Sequence, residues 1–484
     1  MPISSYKNQA RNGLIWTFLN HFSNYSMQFV VGIIMARLLS PDDFGTVALP
    51  VVFISIANIL IEGSFESALI RKTSVSEKDL ATSFFYSLTL SVLLYILFFF
   101  ISPIIAQFYN KPVLTQLIRV STIIFLLKPF VIPQNAILLR NLSFKTTARI
   151  SIVNKIASAV IGVVTAYLGF EMWALVFANI ASSFIEFIQI CFIVRWIPKE
   201  KFSKESFKYL WSYGNKMIGV NLINCLFANI IPIFLGKIGG TFNLGLYDKA
   251  KAFASIPSSN FASVIIYVFF PIFSKVQNEK NELAIAYRKV IRISSYITFP
   301  IMLGMCVLAN PLIITLITEK WAPCIILLKI MCFTYMFQPM QSLNLTLLQV
   351  LGRTDLFLKI EFIKKIIGAV IIIIAIPFGL KAVCIADFGF TMFALVCNTY
   401  YTGKLINVGY MRQILDVLPS FLLSCFMALC IFIITLCVEN MIVQIILGFV
   451  IGVLIYIIAS YLLKFSELDE LIQFIHTRKN SSSD

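Results

Sequence analysis

Charge is what this chain has least of. Only 13% of its 484 residues are Asp, Glu, Lys or Arg, against 59% apolar, and the mean hydropathy is +0.88. A soluble domain carries about 25% charged and about 45–50% apolar residues, so a water-soluble globular fold is excluded. Histidine is almost absent: only His21 and His476 occur, and no HExxH, GxxxxGK[ST] or GxGxxG pattern is present. An ATP-driven pump or a metal-dependent hydrolase therefore has no motif to rest on. The ten cysteines form no CxxC pair, so neither a zinc site nor a dithiol redox centre is signalled. No metal and no cofactor is expected. The opening MPISSYKNQARNG carries no pattern of a cleavable leader, and the first apolar run is long enough to span.

What the chain does have is long apolar runs. Runs of spanning length, bounded by charges, Pro or Gly, fall at about 12–36, 43–65, 80–106, 112–139, 147–168 and 172–195. After the basic stretch WIPKEKFSKESFKYLW come runs at about 206–236, 243–273, 287–317, 322–351, 358–378 and 380–403, then 414–437 and 441–463. Each is long enough for a transmembrane helix of about 20 residues. The expected fold is an all-α polytopic membrane protein with about fourteen spans. The net charge of +16 then reads as topology rather than as affinity for nucleic acid. Lys7, Arg11, Arg71, Lys72, Arg140, Lys145, Arg149, Lys155, Arg195, Lys199, Lys201, Arg288, Lys289, Arg353, Lys404 and Arg412 fall on one side. By the positive-inside rule that side is cytoplasmic, and both termini lie there.

Two blocks of six spans resemble a duplication. Arg37-Leu-Leu-Ser-Pro-Asp-Asp-Phe-Gly45 follows the first span, and Lys237-Ile-Gly-Gly-Thr-Phe-Asn-Leu-Gly245 follows the seventh. Each places a basic residue eight positions before a glycine, at an offset of 200 (237 − 37). The same offset aligns His21 with Asn221 and Asn24 with Asn224. The expected organisation is an N-terminal lobe over 1–204, a C-terminal lobe over 205–404, and two further helices with a cytoplasmic tail over 405–484. Parallel repeats of this kind imply an axis along the membrane normal, with substrate handled between the halves.

Four elements carry a family resemblance. RNLSFK at 140–145, GFEMWALV at 169–176 and RWIPKEKF at 195–202 follow one another, and ARLLSPDDFGTVAL at 36–49 precedes them. Their order resembles the polysaccharide-transporter branch of the multidrug/oligosaccharidyl-lipid/polysaccharide (MOP) exporters. LGLYDKAKAF at 244–253 is similar to that branch's start of the eighth span. One departure stands out, since Val383 occupies the place in the second half that Trp173 holds in the first. The resemblance implies a Wzx-type flippase of the bacterial cytoplasmic (inner) membrane. Its cargo would be an undecaprenyl-diphosphate-linked oligosaccharide, its surroundings membrane lipid, and the polysaccharide polymerase machinery a neighbour in the pathway. It implies a transporter, not an enzyme.

Polar residues inside spans single out the candidate site, because each ionisable group there costs about 2.5–3.5 kcal/mol on insertion scales. His21, Asn24 and Gln28 share one face of the first span, and Asn221 and Asn224 mark the seventh. The competing reading of these amides is interhelical hydrogen bonding. Lys128 and Lys216, each some two turns from the cytoplasmic side, and Lys251 near the outer side are candidate partners for a diphosphate. Snorkelling toward the interface is their alternative. Glu62, one turn from Glu66, and Asp387 are candidate carriers of a coupling ion, H+ or Na+. Glu361 precedes Lys364 and Lys365 at helical spacing, which reads as a structural ion pair. Two rival functions remain open: a drug or organic-cation antiporter of the same superfamily, whose cavity would be acidic, and a membrane-embedded polysaccharide polymerase, which would need a sizeable extramembrane loop.

Overall fold

Hydrocarbon offers no partner to a backbone N–H or C=O, so a chain crossing it must satisfy those groups within its own segment. The computed structural model describes residues 23, 24 and 26–470, and every regular element among them is helical. The first half runs α1 (Ser26–Leu38), α2 (Pro41–Glu62), α3 (Phe65–Arg71), α4 (Glu77–Phe108), α5 (Val113–Ser121), α6 (Lys128–Arg140), α7 (Phe144–Tyr167), α8 (Trp173–Val194), α9 (Lys204–Ala228) and α10 (Ile230–Ile238). The second half runs α11 (Gly240–Lys275), α12 (Lys280–Val307), α13 (Ala309–Ile317), α14 (Cys324–Met336), α15 (Gln338–Val350), α16 (Thr354–Ala375), α17 (Leu380–Ile406), α18 (Tyr410–Cys437) and α19 (Met441–Leu462).

Local chemistry explains where these helices begin and break. Ser40 caps α2 in a reciprocal box with Asp43, and Pro41 takes the first helical position, where its missing N–H costs nothing. Ser76 and Asp79 repeat the box at the start of α4. Gly63, in the left-handed region at φ 55°, separates α2 from α3. A 3-10 turn over Thr122–Leu127 joins α5 to α6, whose second residue is Pro129.

Eleven helical segments among the described residues are long and apolar enough to cross a membrane, where the apolar runs led us to expect fourteen. The three others are separate cases. The first run is only partly described, and α1 is the short apolar remainder. Helices α11 and α16 are present with 36 and 22 residues. Asp355, Lys359, Glu361, Lys364 and Lys365 run along α16 and make it more charged for its length than the other long helices, whereas the charges of α11, Asp248, Lys249 and Lys251, sit near its start, ahead of the uncharged stretch 252–274.

Packing divides the chain into two units, 1–245 and 246–484, whereas the repeat in the sequence divides it at 204/205. In the first unit, Phe65, Ala68, Leu69, Leu80, Ala136 and Leu210 form one apolar cluster, which joins α3, α4, α6 and α9. In the second, Tyr296, Leu308, Leu423, Met427, Ile431 and Tyr456 pack α18 and α19 against α12. Polar contacts pin the same helices. The Tyr296 hydroxyl donates to Ser460 Oγ at 2.7 Å, and the Tyr456 hydroxyl donates to the Tyr296 carbonyl at 2.7 Å. Arg288 holds Asp416 with two bonds of 2.7 and 2.5 Å. Lys289 and Arg292 reach Glu470 and Glu467. The last two helices are therefore integral to the second unit.

A buried amide network locks α15, α17 and α18. Gln413 Nε2 donates to Asn344 Oδ1, Thr402 Oγ1 and the Val408 carbonyl, each at 3.0 Å, while Asn344 Nδ2 donates to Gln413 Oε1 at 3.0 Å. All three side chains are fully buried. Gln413→Leu leaves Asn344 with an orphaned donor, at about 1–3 kcal/mol. The melting temperature of the detergent-solubilised protein should fall by several degrees, and an unchanged melting curve counts against the network.

Candidate functional site

Charges placed inside spanning helices are brought together in two clusters. In the first unit, Lys128 Nζ contacts Glu62 Oε1 at 3.2 Å, across 66 residues of chain. Glu66 lies within electrostatic reach of Glu62, Lys128 and Glu186. Glu186 is reached in turn by Lys128, Glu62 and Lys155 and accepts a hydrogen bond from the Asn135 side chain. Depth makes this convergence physical. Lys128 stands twelve residues before Arg140, Glu186 eight before Val194 and Lys155 eleven after Phe144, while Glu62 closes α2 just before the break that leads into α3. At 1.5 Å per residue the first three lie about 12–18 Å from those ends of their helices. Beside them Gln189 Nε2 donates to Asn154 Oδ1 at 2.6 Å.

Sequence reasoning had singled out Lys128 and Glu62, but for separate tasks, cargo and ion; the fold makes them one pair. It had passed over Glu186, although a carboxylate in the apolar run of α8 was the available signal. Lys155 had been counted with the cytoplasmic bases, yet it lies about 16 Å into α7 and faces the Glu186 charge.

The second cluster lies in the second unit. Asp387, seven residues into α17, had no evident basic neighbour in the sequence; the fold brings Lys251 of α11 within reach of its charge. Lys251 also neighbours Asp248, as does Lys249. Tyr247 and Tyr335 complete the surroundings of Asp387. Lys249 is buried, with its ammonium 5.4 Å from the centre of the Trp321 ring, a cation–π contact that partly replaces lost hydration. Glu361 and Lys364 form the ion pair that their spacing suggested.

The remaining candidates are more dispersed. His21 lies outside the described residues. Asn24 Nδ2 donates to Ser151 Oγ of α7 at 2.9 Å, an interhelical bond. Gln28 is exposed. On α9, Lys216 and Asn224 are eight residues apart on one exposed face, Asn221 is half-buried, and Gly214 and Ile218 lie on the opposite, buried face. That exposed polar line of α9 extends over about 12 Å.

At the far end of the first unit the two repeated motifs meet directly. A Cβ on Gly45 would stand 1.8 Å from the Thr241 carbonyl oxygen, and one on Gly245 would stand 1.9 Å from the Pro41 carbonyl oxygen. Only glycine lets the two helix starts approach so closely. Asp42 fastens the crossing: it accepts from Thr241 Oγ1 and pairs with Lys111 at 3.0 Å. Lys237 donates to the Phe108 carbonyl. A second tight approach joins α9 to the break after α2, where a Cβ on Gly214 would stand 2.4 Å from the Gly63 carbonyl oxygen.

Long apolar helices, joined by short turns and carrying charged side chains within spanning segments, define a multi-pass membrane protein of the MOP flippase fold. Solved structures share that fold. The lipid II flippase MurJ in its inward closed conformation aligns with a TM-score of 0.73 at 16% identity, over 93% of this chain and 98% of that one. An inward-facing multidrug resistance MATE family transporter of the MOP superfamily aligns with a TM-score of 0.61 at 18% identity, over 80% and 94%. The chain belongs to the polysaccharide biosynthesis protein family, whose model matches residues 34–326. Among its relatives, the teichuronic acid biosynthesis protein TuaB of Bacillus subtilis is 24% identical over 85% of this chain and 81% of its own length. The lipopolysaccharide biosynthesis protein WzxC of Escherichia coli is 23% identical over 74% of each.

The glycine crossing yields a direct test. Thr46, beside Gly45, is 1% exposed. In a background lacking the ten native cysteines, Thr46→Cys should react slowly with a membrane-impermeant maleimide. Adding Gly45→Leu should raise that rate about tenfold or more, because the helices can no longer close. Equal labelling in both backgrounds would contradict the close approach.

Proposed function

We propose that this protein flips undecaprenyl-diphosphate-linked oligosaccharide units from the cytoplasmic to the outer leaflet of the bacterial inner membrane, by alternating access. The observation that carries the reading is the combination of charge within spanning helices with the shortness of every connection between helices among the described residues. The longest non-helical connection among the described residues is 195–203, too short to hold a catalytic domain, which disfavours a polymerase. The names of the relatives, in teichuronic acid and lipopolysaccharide biosynthesis, and the lipid II flippase among the structural neighbours support a lipid-linked glycan as cargo.

In this reading the positive-inside rule places both termini in the cytoplasm. Lys216 and the Asn221–Asn224 stretch of α9 present cationic and amide groups to the diphosphate and sugars, with His21, Asn24 and Gln28 as the corresponding groups of the first span. Lys128 and Lys251 each face two sets of partners: carboxylates at rest, and an anionic headgroup during passage. When a diphosphate takes the lysine, Glu62 or Asp387 loses its countercharge and gains affinity for H+ or Na+, which couples cargo to ion without covalent chemistry. The polysaccharide polymerase machinery removes the product on the outer side.

Cells lacking the protein should accumulate lipid-linked oligosaccharide in the cytoplasmic leaflet; absence of that intermediate would point to a role in synthesis instead. Lys128→Ala should lower flipping at least tenfold in reconstituted vesicles while membrane insertion is unchanged. Exchanging the pair (Lys128→Glu with Glu62→Lys) keeps the ion pair yet moves the cation, and so should not restore full rate. Wild-type flipping by Lys128→Ala would remove Lys128 from the mechanism.

A further inference from the structure

Outside both charged clusters, the second unit contains a cavity of about 340 Å³ lined by Val307, Asn310, Lys329, Phe432, Thr435 and Gln444 among others. Its position follows from the helix ends. Lys329 lies five residues into α14, Gln444 three into α19 and Thr435 two before the end of α18. At 1.5 Å per residue all three lie within about 8 Å of those ends. These are the ends remote from Arg288, Lys289, Arg292 and Arg412, which occupy the opposite ends of α12 and α18.

The wall is divided by chemistry. Lys329 is its only charged group, and no ion pair to it forms among the described residues. Asn310 and Gln444 add amide groups beside it, and the Gln444 Nε2 already donates to the Thr435 and Val438 carbonyls. Val307, Pro311 and Phe432 form the apolar part of the wall, and Phe432 is 49% exposed at the protein surface. Glu439 lies in the exposed 438–440 turn and is not part of the wall.

A lone ammonium about one and a half turns into its helix, beside amides and an apolar wall that reaches the exposed Phe432, matches an amphiphile with an anionic head. We propose that this cavity binds the phosphate headgroup of an anionic phospholipid, with Lys329 as the countercharge, Asn310 as hydrogen-bond donor and Phe432 against the acyl chain. The volume suits such a headgroup, since small-molecule sites start near 300 Å³. The occupant braces the junction of α12 and α13 against α18 and α19 from the lipid side. The inference does not depend on which cargo the protein moves.

The test is lipid retention by the full-length protein in native mass spectrometry from mixed detergent–lipid micelles. Phosphatidylglycerol and phosphatidylcholine are compared at equal concentration, with inorganic phosphate as a separate arm. The wild type should retain phosphatidylglycerol preferentially. Lys329→Gln should lose about tenfold in that retention, Asn310→Leu several-fold, and Lys329→Arg little. Equal retention of both lipids, or no loss in Lys329→Gln when Lys329→Arg and the wild type behave alike, overturns the site. Displacement of phosphatidylglycerol by millimolar inorganic phosphate alone would assign the pocket to free phosphate and overturn the lipid assignment. None of these readouts uses transport, so failure of the flippase reading leaves them interpretable.

Discussion

An ionised side chain in hydrocarbon has no solvent to return to, and the arrangement of this protein's interior follows from that constraint. Each charge buried in the spans is stable only if a partner is supplied by another helix or by the next turn. The fold supplies both kinds. Glu361 and Lys364 pair along α16, whereas Lys128 finds Glu62 across 66 residues and Asp387 finds Lys251 across two helices. The local pair is a matter of spacing. The distant relations exist only because α2 packs beside α6 and because Lys251 of α11 comes within electrostatic reach of Asp387 of α17.

This difference separates structural charge from working charge. A pair closed by its own helix has nothing to exchange with a passing anion, because its geometry is fixed by the helical repeat. A pair held between helices depends on how those helices pack, and in the proposed mechanism it is this pair whose lysine is shared between a carboxylate and a cargo phosphate. The first-unit cluster, with three carboxylates against Lys128 and Lys155, carries an excess of acid, and the second-unit cluster is balanced between Asp248 and Asp387 on one hand and Lys249 and Lys251 on the other. Both clusters thus hold basic and acidic groups together, which is the feature on which the proposed coupling of cargo to ion rests.

The glycine crossing is a constraint of a different kind. Gly45 and Gly245 occupy equivalent places in the two repeated motifs, and the fold sets them against each other's helix starts, at distances where any side chain would collide. The conserved spacing visible within the one sequence, a basic residue eight positions before each glycine, therefore has a steric counterpart. Asp42, Thr241 and Lys111 fasten the contact through polar bonds.

By itself the sequence determined that the chain is helical, that it crosses the membrane many times and which residues are charged at depth, because hydrophobic length and backbone satisfaction are local properties. It also showed the ion pair at Glu361. Eleven spans are certified by length and composition among the described residues; the first run is only partly described, and the five charges in the 22 residues of α16 set it apart from the other long helices. Which charge meets which was decided only by tertiary structure: Glu186 and Lys155 joining Lys128 and Glu62, Lys251 answering Asp387, Lys329 standing alone in its cavity. Those relations depend on the rotation and depth of helices distant in the chain, and hydropathy specifies neither.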